Sequence, residues 1–421
     1  RTPVASPANA SHPDRLAWSP GAPALLPRAM RRRIAVLGST GSIGIQALQI
    51  LADHEDRFEL VALTANRSES ALVEQVGRFR PAAACLVQGA PTSAAGDTAW
   101  FDGSEGILEA LEASQPDLVL NGITGAAGLA ASEWTLRRGV TLALANKESL
   151  VIAGEHLMGL AAESGARILP VDSEHCAVFQ CLNGEQLREV RRIWLTGSGG
   201  PFRTRDLDTF AAITPEEALC HPTWDMGPRI TVGSATMMNK AFEVLEARWL
   251  FGLEADRIQV VLHPQSIVHS MVEFVDGSIL AQLGVPDMRV PILYCLGWPD
   301  RLPFPAFQPF DPIRFANLTF EQIDTQRYPA IDLAYDVLAR GGDAGAVLNA
   351  ADEVATEQFL AGAISFPDII GCVRETLNAT PARPIHSLDA AFAADRGARE
   401  RARELTAGCS APRSAPTSPE R

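Results

Sequence analysis

Asp172 and Glu174 stand one residue apart at the end of an apolar run, Arg167-Ile168-Leu169-Pro170-Val171. If the run is a strand carried through the acids, alternate side chains share a face and the two carboxylates point the same way. Two hard oxygen ligands on one face suit Mg²⁺ or Mn²⁺. The pair is also compatible with an ordinary solvated loop start, so a third acid matters. Glu243 supplies one, in the polar cluster Ser234-Ala-Thr-Met-Met-Asn239-Lys240-Ala-Phe-Glu243. On a helix over 235–250 with Ser234 as N-cap, Asn239, Lys240 and Glu243 project from nearly one side. A surface Lys–Glu pair is the plain account of the last two. The apolar residues around them (Met237, Met238, Phe242, Val244, Leu245) imply instead that this side faces protein.

A second kind of chemistry is written near the start. Ile34–Leu37 reads as a buried strand, and Ile45–Leu51 as a helix. Between them lies Gly38-Ser-Thr40-Gly41-Ser42-Ile43-Gly44, a turn whose glycines let a backbone approach a pyrophosphate at a helix N-terminus. The strand Phe58–Thr64 ends in Ala65-Asn66-Arg67-Ser68, without the acid that would hold a ribose 2′-hydroxyl. Arg67 can meet a 2′-phosphate there, so NADP is expected over NAD. Asn146, Lys147 and Glu148 form a polar knot between the strand Val140–Leu144 and a helix, at the edge where a cofactor would lie. The loop Thr196-Gly-Ser198-Gly199-Gly200-Pro201-Phe202 has the flexibility and hydroxyl to cradle a phosphate.

These residues need a scaffold. Strands at 34–37, 58–64, 83–87, 117–121 and 140–144 alternate with helices, which predicts a doubly wound parallel sheet. We expect this dinucleotide-binding domain over 31–171. A catalytic domain of mixed α and β elements over 172–298 follows, with strands at 258–262, 267–274 and 278–283. Proline and phenylalanine dominate the start of a linker over 299–328. Helical periodicity at 329–340, 343–361, 366–379 and 387–405 predicts a C-terminal bundle over 329–405. Residues 203–229 lack periodicity yet carry His221, Trp224 and Met226, and read as a lid. Residues 1–29 and 408–421 have the composition of disordered segments. Arginines and scarce acids at the N-terminus would allow a transit peptide, but Asp14 and the many prolines argue against one, and Met30 is a plausible translation start.

The 421 residues, 47% of them hydrophobic, are enough for two or three cores. A net charge of −14 argues against nucleic-acid or membrane-surface partners, so any phosphate must be met by a local pocket. Seven scattered cysteines without a C-x-x-C read as reduced thiols of a cytoplasmic enzyme. No apolar run reaches the length of about 18 residues needed for a membrane span.

From about Arg33 to Glu400 the chain resembles the 1-deoxy-D-xylulose 5-phosphate reductoisomerases of the non-mevalonate isoprenoid route. The resemblance rests on Gly38–Gly44, Asn146–Leu150, Val171–His175, Leu195–Phe202, His221–Gly227, Ser234–Glu243 and His263–Ser266. It implies NADPH contacts at Thr40, Gly41, Ser42, Ile43, Asn66, Arg67, Ser68, Asn146, Glu148 and Gly227. It implies a divalent metal, Mn²⁺ or Mg²⁺ with Co²⁺ as a further option, on Asp172, Glu174 and Glu243. Substrate contacts are implied at Lys147, Ser173, Glu174, Ser198, His221, Ser234, Asn239, Lys240 and Glu243. Lys147, Glu174, His221 and Glu243 would be the catalytic group. A bacterial-type homodimer acting on a small sugar phosphate is implied as well. Gly233 stands where the family usually has Asp, and Cys176 where Asn is common; neither is a ligand position.

The activity so implied is rearrangement of the sugar phosphate, by retro-aldol cleavage and aldol recombination, followed by hydride reduction to 2-C-methyl-D-erythritol 4-phosphate. Two other readings use the same residues: a metal-dependent NADP dehydrogenase that moves no carbon, and a non-catalytic NADP sensor. The sensor has no use for three convergent carboxylates.

Overall fold

The computed structural model describes residues 31–89, 96–220, 227–304, 307, 311–313 and 315–408. Seven parallel strands form the first sheet: β1 (Arg32–Leu37), β2 (Phe58–Ala65), β3 (Ala83–Leu86), β4 (Ala99–Asp102), β5 (Leu118–Asn121), β6 (Thr141–Leu144) and β7 (Ile168–Pro170). Their order is β4-β3-β2-β1-β5-β6-β7. Helices α1 (Ser42–Asp53), α2 (Glu69–Phe79), α3 (Gly106–Ser114), α4 (Leu129–Arg137) and α5 (Glu148–Ser164) lie between the strands. Ile34 to Leu37, Leu118 to Leu120 and Leu142 to Leu144 are buried, as continuous apolar runs must be when a parallel sheet is covered on both faces. The expected doubly wound sheet is therefore present, with its strand order reversing between β1 and β5. Strand β4 is unexpected. It is four residues long at the sheet edge and carries no alternation that a sequence reading would catch.

A second, four-stranded sheet contains β8 (Val190–Gly197), β9 (Ile258–Leu262), β10 (Val268–Phe274) and β11 (Ile279–Leu283), in the order β11-β10-β8-β9. Against it pack α6 (Ser173–Cys181) and α9 (Met238–Phe251); α7 (Pro215–Ala218) lies on α8 (Pro228–Ala235), which lies on α9, and α10 (Arg289–Gly297) packs on α1 and β7. The chain then reaches a bundle of α11 (Ala330–Arg340), α12 (Ala344–Leu360), α13 (Phe366–Ala379) and α14 (Leu388–Ala407), close to the limits expected. Residues 299–328 are not purely a linker, because Glu321 pairs through both backbone bonds with Leu262 at the end of β9.

Three local expectations are corrected. The strand before Asp172 stops at Pro170, and Asp172 is the N-cap of α6, its Oδ1 accepting from Glu174 N–H at 3.1 Å. Asp172 and Glu174 thus come together at a helix start and not by strand alternation. The helix expected over 235–250 starts later, as α9 at Met238, after a break at Thr236 and Met237; the residues before the break form α8. Met237 sits at φ +60° and is the N-cap of α9, while Ser234 lies in the last turn of α8. Residues 203–220 are not irregular. They hold a 3₁₀ stretch, Leu207–Ala212, and α7, which starts with a full capping box between Thr214 and Glu217. Phe202 and Phe210 stack edge-on against Phe366 of α13, at 5.3 and 5.9 Å, and tie this stretch to the bundle. Residues 221–226 of the expected lid, with His221, Trp224 and Met226, lie outside the described residues, and 227–229 open α8.

Candidate active site

The crevice at the carboxyl ends of β1 and β5 is where a doubly wound sheet binds ligands. Gly38 leaves β1 at φ +72°, and a Cβ there would sit 2.9 Å from Gly122 O across the reversal point. At Gly44 a Cβ would come within 2.4 Å of Gly38 O, so the turn closes on α1 only with glycine at both places. Gly41 is the N-cap and offers no side chain, which leaves the first N–H groups of α1 open at its exposed end beside Thr40, Ser42 and Ile43. Asn66, Arg67 and Ser68 are exposed at the end of β2. Arg67 Nε donates to Gln88 Oε1 at 2.6 Å, which fixes the base of the guanidinium there.

Asn146 and Glu148 shape the neighbouring loop. Asn146 Nδ2 donates to Ile123 O at 2.5 Å and to Gly125 O at 2.9 Å. Glu148 Oε1 accepts from Gly125 N–H at 3.1 Å and from Arg229 Nη1 at 2.9 Å. Gly227, another expected NADPH contact, is the N-cap of α8, two residues before that arginine.

Between them Lys147 turns the other way, into the acids. Its Nζ pairs with Asp172 Oδ2 and lies 3.1 Å from Glu243 Oε1. Lys240 Nζ lies 3.0 Å from Glu174 Oε1 and pairs with Glu243 Oε2. Asn239 Nδ2 donates to Glu243 Oε1 at 2.7 Å, and Ser173 Oγ to Glu174 Oε2 at 2.7 Å. Oxygen atoms of Asp172, Glu174 and Glu243 all lie within 4.8 Å of one another. Three carboxylates that close are stable only with cations among them; here the two ammonium groups serve, and an all-oxygen donor set of this size fits Mg²⁺ or Mn²⁺.

The charges are set by burial and by these partners. Burial works against the Lys147 ammonium, but Asp172, then Glu243 and Glu246, outweigh it and hold the group well above the ordinary lysine value. Burial would raise Asp172, yet Lys147 beside it keeps its carboxyl well below the usual range. Glu174 is raised, chiefly by burial, against the pull of Lys240. Lys240 is raised because Glu174 and Glu243 overcome its burial.

A second layer supports the first. His175 is fully buried, with Nδ1 3.2 Å from Asp172 Oδ1 and 3.4 Å from Glu246 Oε2, and Nε2 2.9 Å from the backbone oxygen of Glu243. Burial opposes its charge, but Glu246 and Asp172 raise it to about 9. The imidazole therefore braces α6 against α9. Glu246 was not singled out from sequence, although it lies three residues after Glu243 on the same helix face. Its fully buried position, with a carboxyl pushed up to about 7 by burial, is what marks it.

The expected phosphate residues also converge. A Cβ on Gly200 would lie 2.8 Å from Ser234 O, so the Ser198 loop touches the last turn of α8, shortly before the first turn of α9 with Asn239 and Lys240. Ser198 Oγ accepts from Gly200 N–H at 3.2 Å. Of the residues expected at the site, His221 alone lies outside the described residues.

A family model for 1-deoxy-D-xylulose 5-phosphate reductoisomerase matches residues 34–154, one for the 1-deoxy-D-xylulose 5-phosphate reductoisomerase C-terminal domain matches 168–251, and a DXP reductoisomerase C-terminal domain model matches 283–401. The 1-deoxy-D-xylulose 5-phosphate reductoisomerase of Geobacter metallireducens is 46% identical over 381 residues, covering 89% of this chain and 99% of the relative. That of Anaeromyxobacter dehalogenans is 48% identical over 391 residues, covering 91% of this chain and 100% of the relative. Among solved structures, the Zymomonas mobilis enzyme in complex with NADPH has a TM-score of 0.85 at 40% identity, covering 90% of this chain and all of that one. A reductoisomerase in complex with NADPH, fosmidomycin and magnesium has a TM-score of 0.85 at 35% identity, over 89% of this chain and 98% of that one. With the Gly38–Gly44 turn, the acid–lysine cluster and the helical bundle all in one chain that matches over nearly its whole described length, the chain belongs to the 1-deoxy-D-xylulose 5-phosphate reductoisomerase family.

Proposed function

We propose that this chain rearranges and reduces 1-deoxy-D-xylulose 5-phosphate to 2-C-methyl-D-erythritol 4-phosphate, with NADPH and a divalent metal, in the supply of isoprenoid precursors. The observation that carries the reading is Lys147. It follows Asn146 and precedes Glu148 at the cofactor edge, while its ammonium lies among Asp172 and Glu243. Cofactor and metal chemistry thus meet at one residue. When bound, the cation supplies Lewis acidity to the substrate oxygens and NADPH supplies the hydride.

The chain's own groups would do the rest. Asp172, Glu174 and Glu243 hold the metal. Lys147 positions and polarises the reacting end, with Glu174 and Glu243 as its catalytic partners and His221 bonding to the ligand. Ser173, Ser198, Ser234, Asn239 and Lys240 hold the substrate, its phosphate mainly on the serines, Asn239 and Lys240. Thr40 to Ile43, Asn66 to Ser68, Asn146, Glu148 and Gly227 hold NADPH. The division into a dinucleotide domain (31–171), a catalytic domain (172–298) and a C-terminal helical domain (329–405) is supported by the limits of the two sheets and the bundle.

The reading extends to a cytoplasmic homodimer. Among the described residues Cys85, Cys176, Cys181, Cys220 and Cys295 are free thiols, which suits a reducing compartment. No helix of the described residues is long and apolar enough to cross a membrane. Edge strand β11 exposes Ile279, Leu280 and Leu283, with Val275 beside them, a row of apolar side chains and unpaired backbone that a second copy would cover. The test of the activity is NADPH oxidation with 1-deoxy-D-xylulose 5-phosphate, with and without Mn²⁺, using carbon-labelled substrate. Metal-dependent oxidation with a branched labelled product supports the reading. Oxidation without movement of carbon would make the protein a simple dehydrogenase.

A further inference from the structure

The loop that follows β8 carries two successive glycines in the left-handed region, Gly199 at φ +83° and Gly200 at φ +64°. Two hydrogen bonds to the Gly199–Gly200 peptide hold that geometry. Gly199 O accepts from the hydroxyl of Tyr328 at 2.8 Å, and the N–H of the same peptide unit, that of Gly200, donates to Ser198 Oγ at 3.2 Å. One peptide plane is therefore clamped between two hydroxyls. A serine oxygen that accepts from Gly200 N–H has its own proton directed away from that bond.

Tyr328 is 1% exposed, and burial pushes its phenol up to about 12, so the hydroxyl keeps the proton it donates. It lies immediately before α11 and packs with Met237, Leu262 and Ile331. The adjacent Arg327 holds the far end of the same loop, its Nη1 donating to Phe202 O at 2.9 Å and to Arg205 O at 2.6 Å. A Cβ on Gly199 would lie 3.1 Å from the Tyr328 hydroxyl, so ring and loop are fitted to each other.

We infer that Tyr328 is a positioning residue for the substrate's phosphate group, acting through the Gly199–Gly200 peptide to orient the Ser198 hydroxyl. This rests on the reading of Ser198 as a phosphate ligand. Tyr328 touches no substrate itself. The segment that leads into the C-terminal bundle thereby takes part in substrate recognition from behind the pocket.

The test is Tyr328→Phe in the full chain, which keeps the ring and removes the one donor. With Mn²⁺ and NADPH present, KM for the substrate should rise about fivefold, the worth of one hydrogen bond, while kcat stays within about twofold. Direct titration should show the same loss for a phosphonate hydroxamate, and no loss for a simple hydroxamate that lacks the phosphonate. NADPH affinity should be unchanged. Equal weakening of both hydroxamates, or of neither, overturns the inference, since a merely structural tyrosine has no preference for phosphonate. Ser198→Ala separates the two levels of argument. If it too leaves phosphonate affinity intact, the assignment of Ser198 fails. If it weakens phosphonate binding while Tyr328→Phe does not, Ser198 stands and the role of Tyr328 fails.

Discussion

Arg229 closes on Glu148 at 2.9 Å, and through that bond helix α8 is fastened to the cofactor edge of the first sheet. The same guanidinium lies 3.0 Å from Glu353 and 3.8 Å from Asp352, and donates to Asn349 Oδ1 at 2.9 Å, all on α12. Arg399 backs Glu353 from α14 at 2.6 Å.

Removing Arg229 should therefore cost stability in a pH-dependent way. Burial raises Asp352 to about 6, and Arg229 is the main group pulling it back down. A carboxyl raised in the folded state binds its proton more tightly there, so ionising it costs stability as pH climbs from its ordinary value through about 6. Arg229→Gln should cost about 1–3 kcal/mol at pH 7 and less at pH 5, where Asp352 is largely protonated. Thermal midpoints of both proteins at the two pH values check this. An equal loss at pH 5 and 7 would mean that Asp352 does not feel the arginine.

Glu243 is pinned by Lys147, Asn239 and Lys240, and faces Asp172 and Glu174. Glu243→Gln should lower turnover by about 100-fold or more and weaken Mn²⁺ binding, while NADPH affinity stays within about twofold, the residue being remote from the α1 turn. Fluorescence titration of NADPH beside metal binding and steady-state rates decides it. A variant with full rate and metal affinity is not missing a ligand.

Cofactor choice should follow Arg67. With no acid at the end of β2, we expect at least a tenfold advantage in kcat/KM for NADPH over NADH, about 1.4 kcal/mol. Arg67→Ala should narrow that ratio, mainly through KM for NADPH. Equal use of both cofactors by the unaltered protein would leave Arg67 without this role.

The edge strand offers a test of assembly. Ile279 and Leu283 are 56% and 42% exposed and lie four residues apart on one face of β11. Replacing both with Glu should convert a dimer to monomers in light scattering behind size-exclusion chromatography, with the monomer still folded. A dimer unaffected by the two charges is built on another surface.

What could be read from the chain beforehand follows from how locally each feature is determined. β1, β5 and β6 are apolar on both faces and announce a covered parallel sheet. The Gly38–Gly44 turn is legible because its backbone admits few residue types. Asp172 and Glu174 do converge, but through the N-cap of α6; a helix start and a strand end look alike when the run before them is five residues long. The break at Met237 left no trace, since a methionine at positive φ is held there by its surroundings and not by its own preference. The buried role of Glu246 was hidden because an acid on a helix has an ordinary solvated explanation. Tyr328 meets Gly199 across 129 residues of sequence, a distance over which no pattern speaks.

The acid–lysine cluster has a consequence for the order of events. Asp172, Glu174 and Glu243 against Lys147 and Lys240 make three negative charges and two positive, and the His175–Glu246 pair behind them adds none where Glu246 is ionised, which leaves one negative in all. A divalent ion would turn that to one positive, and a dianionic phosphate ester would then return it to one negative. Each arrival reverses the sign that the next must meet. If these residues hold metal and substrate as proposed, the carboxylates would favour a cation first, and the phosphorylated sugar would be drawn to them more strongly with the metal in place.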